Sequence, residues 1–173
     1  MMLCSLKSFL ADRRGVSAVE FALLAPVMLV LLISSVTVFD LFRTAQSAEK
    51  GTFTVGDMLS RQTSISETQL KNMVTFIGHT VDFEGEARIR VSSISNIKGK
   101  LTSDWTKSVG NSAIEVPALS MEGIPDIAVG DSVLVTEVYV PHSSFLPIAG
   151  LDQMIYSNRA VHRPRFVGRV AFQ

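Results

Sequence analysis

An uncharged apolar run near the N-terminus constrains this chain more than any other feature of its sequence. Between Phe21 and Phe39, 15 of 19 residues are apolar, and no charged residue occurs between Glu20 and Asp40. As a helix, 19 residues extend about 29 Å, close to the thickness of a bilayer's hydrocarbon core. The alternative is a buried helix of a soluble protein, but such helices are rarely apolar on every face over so many turns. The run therefore predicts a membrane span.

Composition limits the remaining possibilities. The 173 residues include 16 basic and 16 acidic side chains, so the formal net charge is +0. This balance argues against a protein that binds nucleic acid through a basic surface. Cys4 is the only cysteine, which excludes an intramolecular disulfide. The length suits one domain together with an appendage.

The residues before the apolar run differ from a general secretory signal. Such a signal places a short apolar stretch directly after the basic region and a small-residue cleavage site after that. Here Gly15 follows the basic pair Arg13 and Arg14, before the apolar run begins. Small residues that would suit signal cleavage, Ala45 and Ser47, lie well beyond the run, and cleavage there remains an alternative.

The segment from Arg13 to Phe21, RRGVSAVEF, resembles the processing site of type IV prepilins. The longer stretch SAVEFALLAPVMLVLL resembles the TadE-like family, minor pseudopilins of the tight-adherence (Flp) pilus system. In such proteins an aspartic prepilin peptidase cleaves after a glycine, and a glutamate is the fifth residue of the mature chain. The resemblance implies cleavage between Gly15 and Val16, with Glu20 as the fifth mature residue.

The resemblance also implies a function and partners. The chain would be a non-enzymatic pilus-assembly protein that needs no cofactor. Its partners would be the prepilin peptidase, other pseudopilins or the pilin, and the inner-membrane assembly platform. Glu20 and Phe21 would serve assembly. A different class remains open, in which the apolar helix is a plain signal anchor and the head is a periplasmic binding module unrelated to pili.

The chemistry of the proposed processing site can be followed from the residues themselves. Glycine has no side chain, so the backbone at Gly15 can enter a narrow protease cleft in an extended form. An unpaired carboxylate at the membrane edge is costly to bury, and a free amine at Val16 would be an ionic partner for Glu20. The alternative is an interfacial glutamate that is favoured only by the dipole of its helix.

Basic residues before the span predict its orientation. Lys7, Arg13 and Arg14 precede the run, whereas basic and acidic residues are mixed after it. The positive-inside bias places the N-terminus in the cytoplasm. The chain is thus predicted to cross the bacterial inner membrane once and to have a periplasmic C-terminal head.

A helical stripe continues beyond the span. Between residues 40 and 62, apolar or small side chains recur at alternating spacings of four and three residues: Leu41, Ala45, Ala48, Thr52, Val55 and Leu59. A helix unbroken from Ser17 would contain about 45 residues and extend about 68 Å. Because glycine weakens a helix, two helices with a hinge near Gly51 are the alternative.

The rest of the chain predicts a mixed head. Ser66 and Gln69 form a capping-box pattern, followed by an amphipathic helix that ends near Gly78. Alternating residues from Ala87 onward predict a hairpin with Gly99 in its turn. A third strand is predicted over 132–140 and a fourth over 165–172.

These elements define an α+β fold with four segments. They are a prepilin-type leader (1–15), a transmembrane helix (16–39), a helical stalk (40–62) and an extracytoplasmic head (63–173).

The three histidines are the remaining candidates for a metal site or a catalytic site. His79, His142 and His162 are widely spaced and lack metal-binding or catalytic spacing, so neither a metal site nor an enzyme is predicted.

The tail is basic, because four arginines follow the last acidic residue: Arg159, Arg163, Arg165 and Arg169. They form either a solvated, charge-protected strand face or a docking surface for an acidic partner.

Overall fold

The structure is a computed structural model, and it describes residues 15–81, 83, 85–142 and 154–173. These residues form two helices and six strands, which confirms the predicted α+β class. In chain order they are α1 (Val16–Ser60), β1 (Ser64–Ile65), α2 (Glu67–Thr80), β2 (Arg88–Ile97), β3 (Lys100–Gly110), β4 (Ser132–His142), β5 (Met154–His162) and β6 (Ala171–Phe172).

Helix α1 is continuous over 45 residues. It passes through Gly51 without a hinge and through Pro26, a residue that membrane helices tolerate. The hydroxyl of Thr37 donates to the carbonyl of Ile33 at 3.0 Å, the local hydrogen bond by which a helix accommodates a polar side chain in an apolar segment. The chain divides into two compact units between Phe39 and Asp40.

Helix α2 begins with the predicted capping box. The backbone N–H of Gln69 donates to the Ser66 hydroxyl at 3.3 Å, and the Ser66 N–H donates to the Gln69 side chain at 2.8 Å. The helix extends past Gly78 to Thr80. Its inward face is buried through Leu70, Val74 and Ile77.

The main sheet is antiparallel, with strand order β3-β2-β4-β5. The predicted hairpin joins β2 to β3, and Lys98 and Gly99 adopt positive φ in its turn. One face of the sheet packs on both helices; the buried core there includes Val55, Leu70, Val91 and Val138. The segment 111–131 covers the other face, where Ile127 packs with Ile94, Val133 and Val135.

The prediction of a fourth strand over 165–172 is wrong. The sheet is completed by β5, and the tail contributes only Ala171–Phe172, which pairs in parallel with Ser64–Ile65. Pro164 has no N–H to donate to a ladder, and the chain after it bonds elsewhere, since the Arg165 N–H donates to the Ser60 carbonyl at 2.9 Å. Val170 is fully buried in the core.

Two glycines of α1 allow close packing of neighbouring elements. A β-carbon at Gly51 would lie 2.8 Å from Cδ1 of Ile77 in α2. At Gly56 it would lie 2.5 Å from Nδ1 of His162 in β5, a distance that no real contact permits. The His162 ring also packs edge-on against Phe53 at 6.0 Å. These glycines weaken the helix locally but let it approach the rest of the head.

We expect Gly56→Ala to destabilise the protein. The added methyl overpacks the contact with His162, at a cost of about 1–3 kcal/mol that exceeds the propensity gain of about 1 kcal/mol. Gly78→Ala is the matched control, because a β-carbon there has open space in α2, and it should be neutral or stabilising. Urea unfolding of the full chain in detergent, followed by Trp105 fluorescence, measures both. Equal stability of the two variants would contradict the packing role.

Candidate functional site

The predicted cleavage site lies at the exposed start of α1. Gly15 is in a turn, and Val16 is the first helical residue, with 48% of its surface exposed. The Gly15 carbonyl accepts a hydrogen bond from the Val19 N–H at 3.1 Å, which closes the first turn. A β-carbon at Gly15 would meet no described atom within 4 Å. The Gly15–Val16 bond therefore lies at the boundary between a turn and α1, and the described residues leave open space beside Gly15.

The three basic residues predicted to set membrane topology, Lys7, Arg13 and Arg14, lie outside the described residues. Their role remains a prediction from the sequence.

Glu20 follows Val16 by four residues, so both side chains project from the same face of α1. Its side chain is exposed, and no described residue forms an ion pair with it. Phe21 beside it is 67% exposed. A carboxylate in the first turns of a helix is favoured by the helix dipole, and a new amine at Val16 would be within about 6 Å of helical rise.

The large apolar side chains in the apolar part of α1 are exposed. Its large side chains from Leu23 to Phe39 retain 43–72% of their surface, and none of the most apolar stretch is buried. Among the described residues, α1 alone is long and apolar enough to cross a membrane. Exposed apolar side chains of this kind suit a lipid environment. The helix thus supports a single-pass membrane anchor.

The tail arginines contact acidic residues of the head. The pairs are Arg159 with Glu137 at 3.8 Å, Arg163 with Asp131, Arg165 with Asp57 at 2.5 Å, and Arg169 with Asp104 at 3.4 Å. A hydrogen bond from Arg61, joined by the charge of Arg165, holds the pKa of Asp57 below its usual value. Each of the four tail arginines therefore has an acidic neighbour within its own chain.

Glu137 has a buried position that the sequence did not reveal. The strand register places it between Arg90 on β2 and Arg159 on β5. Arg90 Nε donates to a Glu137 oxygen at 2.5 Å, and both side chains are almost wholly buried. The two arginines also donate to backbone carbonyls of the covering segment 111–131, namely those of Pro117, Ser120 and Glu122. This triad fastens that segment to the sheet.

The histidines occupy separate packing environments. His142 packs against Tyr156, with ring centroids 5.4 Å apart, and His162 packs against Phe53. His79 is exposed at the end of α2. Within the described ranges, no group of three or more His, Cys, Asp or Glu residues could hold a metal ion.

Comparison with known proteins adds one match. The family model of the TadE-like proteins matches residues 15–57, which confirms the resemblance seen in the sequence. This region runs from Gly15 through the apolar segment to Asp57, and residues 58–173 lie outside it. No curated protein and no solved structure matches the chain.

Proposed function

Starting from a TadE-like N-terminal region joined to an α+β head, we propose that this chain is a minor pseudopilin of the tight-adherence pilus. It is non-enzymatic, membrane-anchored and processed by the prepilin peptidase after Gly15. One observation supports this assignment. The family match begins at Gly15, and the exposed turn at this residue is followed directly by the long apolar helix α1.

The proposed location follows from the helix and its flanks. In this proposal the chain crosses the bacterial inner membrane once, and the basic residues Lys7, Arg13 and Arg14 support a cytoplasmic N-terminus. The helical stalk (40–62) and the head (63–173) are then periplasmic. The head can meet other pseudopilins or the pilin there, while the helix meets the assembly platform in the membrane.

Glu20 supplies the proposed docking contact. Cleavage after Gly15 creates a positively charged amine at Val16, four residues before the carboxylate. In a medium of low dielectric constant, the carboxylate gains most when a cation of its own chain or of a neighbouring subunit is close. The pair would favour subunits that dock in register and disfavour those that leave either charge unpaired.

We expect Glu20→Ala to leave cleavage intact and to reduce the number of pili about tenfold, the factor that corresponds to ~1.4 kcal/mol of lost docking energy. Glu49→Ala is the matched control, because Glu49 is also exposed on α1 but lies beyond the apolar run. Electron microscopy counts the pili, and the mass of the extracted chain reports cleavage. Normal pilus numbers in the Glu20 variant would refute the docking role.

A further inference from the structure

Basic side chains are in surplus at one end of the main sheet, the end that holds the turn between β2 and β3 and the last residue of β5. Hydrogen bonds and ion pairs bring the end of α1, the tail and the residues before β4 to the same place. We call this region the basic end. Its basic side chains number six: Arg61, Lys98, Lys100, Arg163, Arg165 and Arg169. Its acidic side chains number four: Asp57, Asp104, Asp126 and Asp131. Six against four leaves a surplus of two positive charges.

Ion pairs within the chain do not remove this surplus. Four arginines share three carboxylates, because Asp57 pairs with both Arg61 and Arg165. Lys98 and Lys100 are exposed, and no described residue forms an ion pair with either of them. The two lysines are therefore available to carboxylates of a partner.

The basic end also exposes apolar surface. Outside the apolar run of α1, Phe166 (71%) and Val129 (68%) are the most exposed large apolar side chains that the structure describes. Phe166 is held in this position, because the Arg165 N–H and the Gly168 carbonyl are both hydrogen-bonded to other parts of the head. An exposed aromatic side chain among arginines is typical of surfaces that bind another protein.

The segment 111–131 carries the opposite charge, since it contains acidic residues and no basic one. Glu115 and Glu122 in this segment are exposed, and no described residue forms an ion pair with either. Met121 beside Glu122 is 38% exposed, and Arg159 fixes its position by donating to the carbonyls on both sides of it. We call Glu115, Met121 and Glu122 the acidic face.

The acidic face extends away from the basic end of its own copy. Arg88, the first residue of β2, donates to the carbonyl of Ile114, which directly precedes Glu115. The last residue of β2 is Ile97, nine positions later, so these two places are about 30 Å apart along the strand. Glu115 and the lysines of the basic end are thus too distant to pair within one copy.

We propose that the basic end of one copy docks on the acidic face of a second copy of this chain, with Phe166 packed against Met121. The partner is a second copy because the same chain supplies both halves of the contact. A surplus of two positive charges meets two carboxylates that have no described partner, and each surface exposes an apolar side chain. Complementary charge orients the two surfaces, and burial of the aromatic ring against the methionine stabilises the contact.

The two surfaces differ, so the contact is heterologous. Each bound copy retains one unoccupied surface, to which a further copy can add. The contact uses only residues beyond the apolar run, and it can therefore form or fail independently of cleavage after Gly15.

Cysteine cross-linking between two differently tagged copies of the full chain tests this contact. In a Cys4→Ser background, one copy carries Phe166→Cys and the other carries Met121→Cys, so a disulfide that joins the two tags must join two copies. Met58→Cys is the matched control for Met121→Cys, since Met58 is also a methionine with 38% exposure but lies on α1, outside the acidic face. Both copies are expressed together, isolated membranes are oxidised with copper–phenanthroline, and immunoblots for the two tags measure the joined product.

We expect the 166/121 pair to give at least about tenfold more product than the 166/58 pair. Glu115→Lys with Glu122→Lys, placed on the Met121→Cys copy, should reduce the product about tenfold through like-charge repulsion. Lys98→Glu with Lys100→Glu on the other copy should then restore it, which excludes misfolding as the cause of the loss.

Equal yields from the 166/121 and 166/58 pairs, or no product from either, would overturn the contact. A yield that does not respond to the charge reversals would overturn it as well. The mass of the same chains reports cleavage separately: product from chains that retain residues 1–15 would support the contact and contradict only the proposed processing.

Discussion

Replacement of Gly15 by leucine is expected to abolish removal of residues 1–15 and, with it, pilus formation. A protease cleft that accepts an extended backbone at glycine has no room for a branched side chain. The structure makes this variant informative, because a β-carbon at Gly15 meets no described atom within 4 Å. Loss of cleavage would therefore report recognition by the peptidase rather than misfolding.

Gly168→Leu is the matched control for this experiment. A β-carbon at Gly168 likewise meets no described atom within 4 Å, but the residue lies in the tail. We expect this variant to be processed and to insert normally in the membrane, as the Gly15 variant should also insert. Immunoblots of membrane fractions distinguish the longer unprocessed chain from the mature one. A Gly15→Leu chain of mature length would count against the assignment.

Glu137→Gln should cause the largest loss of stability, about 3–5 kcal/mol. The substitution preserves size but leaves the buried guanidinium of Arg90 without its counter-charge. Arg159 also loses its acidic neighbour, and both arginines then hold the segment 111–131 only through backbone carbonyls. We therefore expect this segment to loosen together with the sheet face it covers.

Glu67→Gln provides the comparison, since Glu67 pairs with Lys71 at 2.8 Å while both side chains are about two-thirds exposed. An exposed pair of this kind contributes little to stability, because water and salt screen the two charges. Urea unfolding of the full chain in detergent gives both values, with Trp105 as reporter because its indole N–H donates to Val170 in the core. Similar losses in the two variants would show that the buried triad has no special role.

Features that depend on nearby residues were predictable from the sequence. The apolar run and its glutamate, the capping box of Ser66 and Gln69, and the hairpin at Gly99 each arise within a few consecutive positions. In such cases hydrophobic period, side-chain hydrogen bonding and turn conformation are decided locally. The family match over 15–57 falls within this predictable part.

Features that depend on long-range register were not predictable. β5 contains Ser, Asn and Arg among its apolar residues, so it lacks the regular alternation that marks a strand. Arg90 and Glu137 are 47 residues apart in sequence and meet only because β2 and β4 pair in one register. The acidic partners of the tail arginines could not be predicted either, because these contacts also join residues that are distant in sequence. The need for glycine at position 56 depends on His162, which is more than a hundred residues later in the chain.

The N-terminal mass of the protein extracted from its native membrane tests the central claim most directly. The account predicts a chain that begins at Val16, having lost the first 15 residues together with Cys4. A chain that retains Met1, or one that begins beyond Ser47, would contradict it and would favour a signal-anchored or secreted binding module.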